Sequence, residues 1–231
     1  MIILAIECAT KAASVALLSD EVTAGEIYLG AGRHHAETVL QSLDALLQLA
    51  GKKIRDVDLL ACTTGPGSFT GVRIGIATAK GLALAAGKPI IAVSTLEALA
   101  MNLSFSARLI APLLDARKNQ VYAGLYRIKE DGLPGALADD YLGDIDAALQ
   151  RIPKENVDFI GDGALKHRQA ILACNPAAGF FDAWKFNEPL ASSVGLAALG
   201  RCRRGCKEDD PYSLLPTYLR LSEAEQKMGL D

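Results

Sequence analysis

The chain opens on an unbroken apolar run, Ile2 to Ile6, which fits a strand covered on both faces. Ser14 to Leu18 and Val22 to Leu29 follow, joined at Asp20-Glu21, and read as an antiparallel hairpin. From His35 to Ala50 the period changes. Ala36, Val39, Leu40, Leu43, Leu46, Leu47 and Ala50 recur at helical spacing, and Gly51 closes the helix. Leu59 to Thr63 is another short core strand. Gly65 to Gly71 then opens a small-residue helix to about Ala86, stopped by Gly87, and Pro89 precedes a strand Ile90 to Val93. Ser94 is placed to cap a helix through Leu103, with Glu97 at the capping-box position.

The first hundred residues thus read β-β-β-α-β-α-β-α, the order of the ribonuclease-H-like unit of the actin, hexokinase and Hsp70 superfamily. The second half reads as a degraded copy. Leu109 to Leu114 and Val121 to Ile128 are strands, Leu137 to Leu142 is a third, and Asp144 to Arg151 is a short helix. Val157 to Ile160 is a strand leading into Gly161-Asp162-Gly163, after which Ala164 to Ala173 and Ser192 to Arg204 are helical. Trp184 with Phe180, Phe181 and Phe186 is expected in the core of this half. The expected fold class is α/β, an actin-like ATPase (ASKHA, ribonuclease-H-like) duplication with a reduced second lobe. The expected lobes are residues 1–104 and 105–231.

Composition narrows the function. The 231 residues carry a net charge of -3, against a chain that grips nucleic acid by itself. The start lacks a basic n-region and no run of about 18 apolar residues exists, so neither signal peptide nor membrane span is expected. Five cysteines, an odd number, fit reduced thiols in the cytoplasm. Cys8 and Cys62 read as buried apolar residues. Cys202 and Cys206 share a helix face if that helix continues, with no partners to complete a zinc site. Arg201, Arg203, Arg204 and Lys207 form the one basic cluster, read either as helix C-terminal charges or as a phosphate contact.

Three segments bear on chemistry. Glu7, Thr10 and Ser14 surround a strand turn that in actin-like ATPases approaches phosphate and magnesium, and nucleotide contact and an ordinary polar turn both fit. Gly161 and Gly163 lie at a strand-to-helix junction, where an anion or plain turn chemistry fits equally. The strongest element is Gly65-Pro66-Gly67-Ser68-Phe69-Thr70-Gly71-Val72-Arg73-Ile74-Gly75. Its glycines permit close backbone approach, and Ser68 or Thr70 is placed to cap the helix. Behind it Gly71, Gly75, Ala79 and Ala83 make one small-residue stripe, suited to core packing or to a subunit interface.

This loop, with Ala79-Lys80-Gly81-Leu82-Ala83 beyond it, resembles the signature of the TsaB (YeaZ) family. Ile3 to Thr10, Ser14 to Leu17, His35, Val93 to Leu96, Asp115-Ala116-Arg117, Val121-Tyr122 and Pro216 to Arg220 fit the same family in order. Where this chain has Glu7, the family usually has Asp.

The resemblance implies a subunit that is not itself an enzyme. It would bind the TsaD-type transferase with a TsaE-type ATPase, for threonylcarbamoyl transfer to the tRNA adenosine next to the anticodon. The resemblance also implies a homodimer when alone, tRNA contact only through the complex, no membrane, no tightly bound cofactor, and ATP or ADP at most at the complex interface. In TsaD-like relatives a His-x-x-x-His pair binds the catalytic metal; here Thr95 and Leu99 stand at those places, and no metal site is expected. His34, His35 and His167 lack ligand spacing, and His167 is expected to be solvated.

The expected partner-binding residues are His35, Val39, Leu43, Gly65, Pro66, Gly67, Ser68, Phe69, Thr70, Gly71, Arg73, Gly75 and Ala79. Arg at Gly75 or Ala79 is expected to abolish association and leave the fold intact. The alternatives are an actin-fold ATP-binding protein or kinase and a glycoprotease-like peptidase; no His-Glu-x-x-His motif or Ser-His-Asp set supports the latter.

Overall fold

The computed structural model describes residues 1–30, 35–154 and 156–220, and of 35–37 the backbone alone. Two sheets are built on one plan. In the first, β1 (Ile2–Glu7) lies antiparallel to β2 (Ala13–Ser19) and parallel to β4 (Leu59–Thr63). With β3 (Val22–Leu29) and β5 (Ile90–Val93) the order is β3-β2-β1-β4-β5. The opening apolar run is explained by its two covered faces. Leu4 and Ile6, with Leu60 and Cys62, meet α1 (His35–Leu49) and α2 (Phe69–Ala86). Ile3 and Ala5, with Leu59 and Ala61, meet α8 (Ala191–Arg203), which returns from the far end of the sequence.

The second sheet contains β6 (Leu109–Asp115), β7 (Gln120–Ala123), β10 (Tyr141–Asp144), β11 (Val157–Ile160) and β12 (Gly179–Phe180). Their order, β10-β7-β6-β11-β12, repeats that of the first sheet. The expected strand from Val121 to Ile128 is two. The Gly124 amide donates to Pro112 O (3.1 Å), and the chain leaves β7 there to form β8 (Tyr126–Ile128). β8 pairs with β6 and with β9 (Pro134–Ala136). The third strand of the copy is therefore Tyr141–Asp144, later than expected.

α3 (Thr95–Met101) lies between the sheets. Ala98 joins the core around α8, and Leu96 and Leu99 join Ile110, Tyr126 and Ile160. Ser94 caps α3 by accepting from Leu96 N (3.2 Å), whereas the Glu97 carboxylate turns to Arg201. The helix expected over 164–173 is α5 (Asp162–Lys166) and α6 (Arg168–Cys174), broken at His167. His167 is half-buried rather than solvated, its Nε2 has no partner, and burial lowers its pKa. α4 (Ile145–Arg151) and α7 (Trp184–Asn187) complete the set. Trp184 is exposed, not in the core; its ring lies 4.7 Å from that of Tyr28 on β3. α8 ends at Arg203 and Gly205 turns left-handed (φ 69°), so Cys206 does not share a helix face with Cys202.

α2 is long and apolar enough to cross a membrane by length and composition alone, with mean hydropathy 1.2. In the fold its Val72, Ile76, Ala79 and Ala83 belong to the first core. One flank of α2 is held by the C-terminal segment: Lys80 Nζ donates to Tyr212 O (3.3 Å) and Leu214 O (3.0 Å). Upstream, Asp209 bonds the backbone of β5, and downstream Thr217 N donates to Thr64 O (2.7 Å).

Candidate functional site: the cleft between the lobes

The glycine loop starts where β4 ends. Thr64 N donates to Val93 O and Thr95 N to Gly65 O, which ties the loop to β5 and α3. Ser68 is the N-cap of α2 and accepts from Gly71 N (3.3 Å). Sequence reasoning left open what the glycines approach. They approach the protein's own backbone. Ser68 N donates to Ala9 O (2.6 Å). A Cβ on Gly67 would lie 2.2 Å from Ala9 O, and one on Gly71 2.0 Å from Cys8 O. The loop therefore grips the turn after β1. On its other side Phe69 stacks on Tyr218 (4.8 Å between centroids), and the Arg73 guanidinium lies over Phe69 (3.7 Å) and donates to the Tyr218 hydroxyl (2.6 Å).

Between this assembly and the second lobe lies a cleft of about 690 Å³. The first lobe lines it with Thr10, Lys11, Pro66 to Thr70 and Arg73, and the second with Asp115, Arg117, Tyr122 and Asp162. Thr217 to Arg220 close one side. Arg220 reaches across to donate to Ala116 O (2.8 Å) and to Gln120 Oε1.

Of the expected nucleotide residues, only Thr10 faces the cleft; its hydroxyl lies 3.4 Å from Glu188 Oε2. Ser14 is turned away, with its Oγ accepting from Ala191 N (2.8 Å) at the start of α8. Gly161 donates its amide to Asn187 Oδ1 (2.9 Å), and Gly163 packs against the backbone of Leu113 and Leu114, so neither is open to an anion. Glu7 is fully buried. Its Oε1 accepts from Ala9 N (2.6 Å) and its Oε2 has no hydrogen-bond partner. Burial, aided by the Glu188 carboxylate and opposed by the Ala9 amide, pushes its pKa up to about 8. A neutral carboxyl there is a poor magnesium ligand. Glu188, whose own pKa burial raises, was not foreseen, because nothing in its local sequence marks it.

The expected partner-binding set divides. Val39, Leu43, Gly65, Pro66, Gly71, Gly75 and Ala79 are buried within this chain. The stripe Gly71, Gly75, Ala79, Ala83 faces inward, with Gly75 opposite Cys8, which corrects its reading as a docking surface. Ser68, Thr70 and Arg73 are exposed, and Gly67 and Phe69 half-buried. The side chain of His35 lies outside the described residues. Thr95 and Leu99 are fully buried. Among the described residues no group of three or more His, Cys, Asp or Glu is placed to hold a metal ion.

A family model described as TsaD, tRNA N6-adenosine threonylcarbamoyltransferase, matches residues 28–228. The tRNA threonylcarbamoyladenosine biosynthesis protein TsaB of Bacillus subtilis is 35% identical over 98% of this chain and 97% of its own length. The chain belongs to this family, and within it to TsaB. A solved structure of YeaZ from Pseudomonas aeruginosa superposes with a TM-score of 0.77 at 30% identity, covering 94% of this chain and 99% of that one. The chain also shares its fold, at a TM-score of 0.51 and 12% identity, with the ROK hexokinase of Thermus thermophilus, over 89% of this chain and 100% of that one. The fold is the actin-like, two-lobe ASKHA arrangement.

Proposed function

We propose that this chain is a non-catalytic subunit in tRNA threonylcarbamoyladenosine biosynthesis. It binds a TsaD-type transferase, acts with a TsaE-type ATPase in the cytoplasm, and pairs with itself when alone. Its lobes divide near residue 104, tRNA is engaged through the assembly, and ATP or ADP enters only at the assembly's interface.

The observation that carries this reading is the filled glycine loop. Where a phosphate-binding loop leaves its amides to the ligand, this one spends its close approach on Cys8 and Ala9. The docking face we assign is the outer side of α1 and α2. A groove of about 720 Å³ there is lined by Leu40, Leu43, Leu47 and Leu82 and rimmed by Lys52 and Lys53. Leu40 is 53% and Leu84 42% exposed. Exposed apolar surface rimmed by polar groups marks a protein partner.

Co-purification with the TsaD-type protein tests this. Leu40→Asp and Leu84→Arg should each weaken association by roughly tenfold or more, as loss of a buried apolar anchor does, with an unchanged melting curve. Formation of threonylcarbamoylated tRNA should then require the wild-type chain. Full association of both variants would place the interface elsewhere. ATP turnover by the purified chain alone would end the non-catalytic reading.

A further inference from the structure

The three arginines of the basic cluster visible in the sequence are already spent. Arg201 binds the Glu97 carboxylate and Ala92 O, Arg203 binds Glu21, and Arg204 makes a two-pronged contact with Asp131 (2.7 and 2.8 Å). A different set of cations meets at the cleft. Lys11, Arg73, Arg117 and Arg220 come from four distant segments and line the same opening. Among the described residues none of the four has a carboxylate within ion-pair distance. Arg73 and Arg220 donate only to neutral acceptors, a tyrosine hydroxyl, a backbone carbonyl and a glutamine amide. Their charge is oriented but not cancelled.

Two carboxylates share the lining. Asp115 is ion-paired with Lys166 (2.8 Å), and Asp162 Oδ1 accepts from Asp115 N (2.8 Å). The opening is therefore positive in a chain whose net charge is -3. Arg117 is presented by Arg117-Lys118-Asn119, three consecutive left-handed residues (φ 63°, 49° and 63°). Arg220 staples that turn from both sides, at Ala116 and Gln120. Phe69, Tyr122 and Tyr218 stand among the cations. Unpaired guanidinium groups interleaved with aromatic rings suit a flexible phosphodiester strand whose bases stack, rather than a rigid duplex.

We infer that the mouth of this cleft binds the backbone of a single-stranded RNA segment, with Lys11, Arg73, Arg117 and Arg220 as the phosphate contacts. That the RNA is a tRNA loop rests on the proposed function; binding of single-stranded RNA does not. Four contacts predict a log–log salt slope of about -3, so affinity falls roughly 50-fold between about 50 and 200 mM salt.

Fluorescence anisotropy of the full chain with a labelled single-stranded RNA of roughly 12 nucleotides, about the span of one such groove, reads this directly. Arg117→Ala and Arg220→Ala should each weaken binding several-fold and flatten the slope by about 0.7. Arg117→Lys should restore most of it. Lys11→Glu with Arg117→Glu should abolish it, with circular dichroism unchanged. Arg203→Ala and Arg204→Ala should bind as wild type.

Equal losses from Arg203→Ala and Arg117→Ala, or a slope near zero, would overturn the assignment. So would competition by mononucleotides as effective as by the RNA, which would make the cleft a nucleotide site. RNA binding that survives the double charge reversal while partner co-purification fails would assign the cations to a protein instead. Because the RNA measurement needs no transferase, a wild-type chain that fails to co-purify would count against the proposed function and leave this result standing.

Discussion

The two lobes repeat one strand order, yet they are covered very differently. The first sheet lies under helices of 15 and 18 residues; the second has helices of 7, 5 and 7. Long helices have a far side. α1 and α2 bury one face and still present Leu40, Leu49 and Leu84 outward. Those short helices of the second lobe expose only single leucines, Leu165 and Leu172, and backbone ends there are met by side chains from elsewhere. Asn187 illustrates this: it accepts from Gly161 N and donates to Phe181 O and Ala183 O. A duplicated unit can thus diverge without changing topology, one copy keeping long helices with an outer apolar face and the other lending the edge from Asp115 to Tyr122 to the cleft.

The sharpest way to break this comparison is to charge the inward side of α2. Ala79→Arg places a guanidinium in the first core, where Ala79 is fully buried. It should cost at least about 4 kcal/mol and leave little folded protein, as read by chemical denaturation. A folded Ala79→Arg chain that merely lost its partner would restore the stripe as an interface.

Next in size is a pH effect centred on the first lobe. Glu7 has a folded pKa of about 8, above its ordinary 4.5. The folded state holds its proton where the unfolded chain has lost it, so stability declines as pH rises from about 4.5 to 8 and is flat beyond. Glu7→Gln should remove most of that decline in melting temperature measured across the window, leaving the part that Glu188 and Asp140 contribute, since burial raises their pKa values too. A wild-type profile that rose with pH there, or a variant that kept the full decline, would show that Glu7 is ionised in the fold.

The smallest effect sharpens the contact between lobes. Trp184→Ala removes the ring set against Tyr28 and should cost about 0.5–1.5 kcal/mol by denaturation. A larger loss would mean that the lobes depend on each other more than their separate cores suggest.

Much of the fold was readable along the chain because its signals are local. Runs such as Ile2 to Ile6 and Leu59 to Thr63, the helical period of α1, and the breaks at Gly51 and Gly87 each lie within one element. The misreadings fell where a distant segment decides. Nothing near Gly124 announces that the strand ends there, because its amide answers to Pro112. The helix break at His167 has no proline or glycine to mark it. Trp184 looked like core by composition, yet its neighbour is Tyr28, across the molecule. The site was harder still. The glycine loop announced close approach, but a glycine does not say what approaches it. The cleft cations are single residues spread from Lys11 to Arg220, and only the fold assembles them.

The late return of the chain to its first lobe has a consequence for how the protein is made. Val194, Ala197, Ala198 and Leu199 of α8 seal one face of the first sheet, and Thr217 bonds its glycine loop. A ribosome delivering this chain from its N-terminus therefore releases a first sheet with one open, apolar face. That face stays open throughout synthesis of the second lobe and closes only when residues 191–217 emerge. A chain cut short after the second sheet leaves that face unsealed.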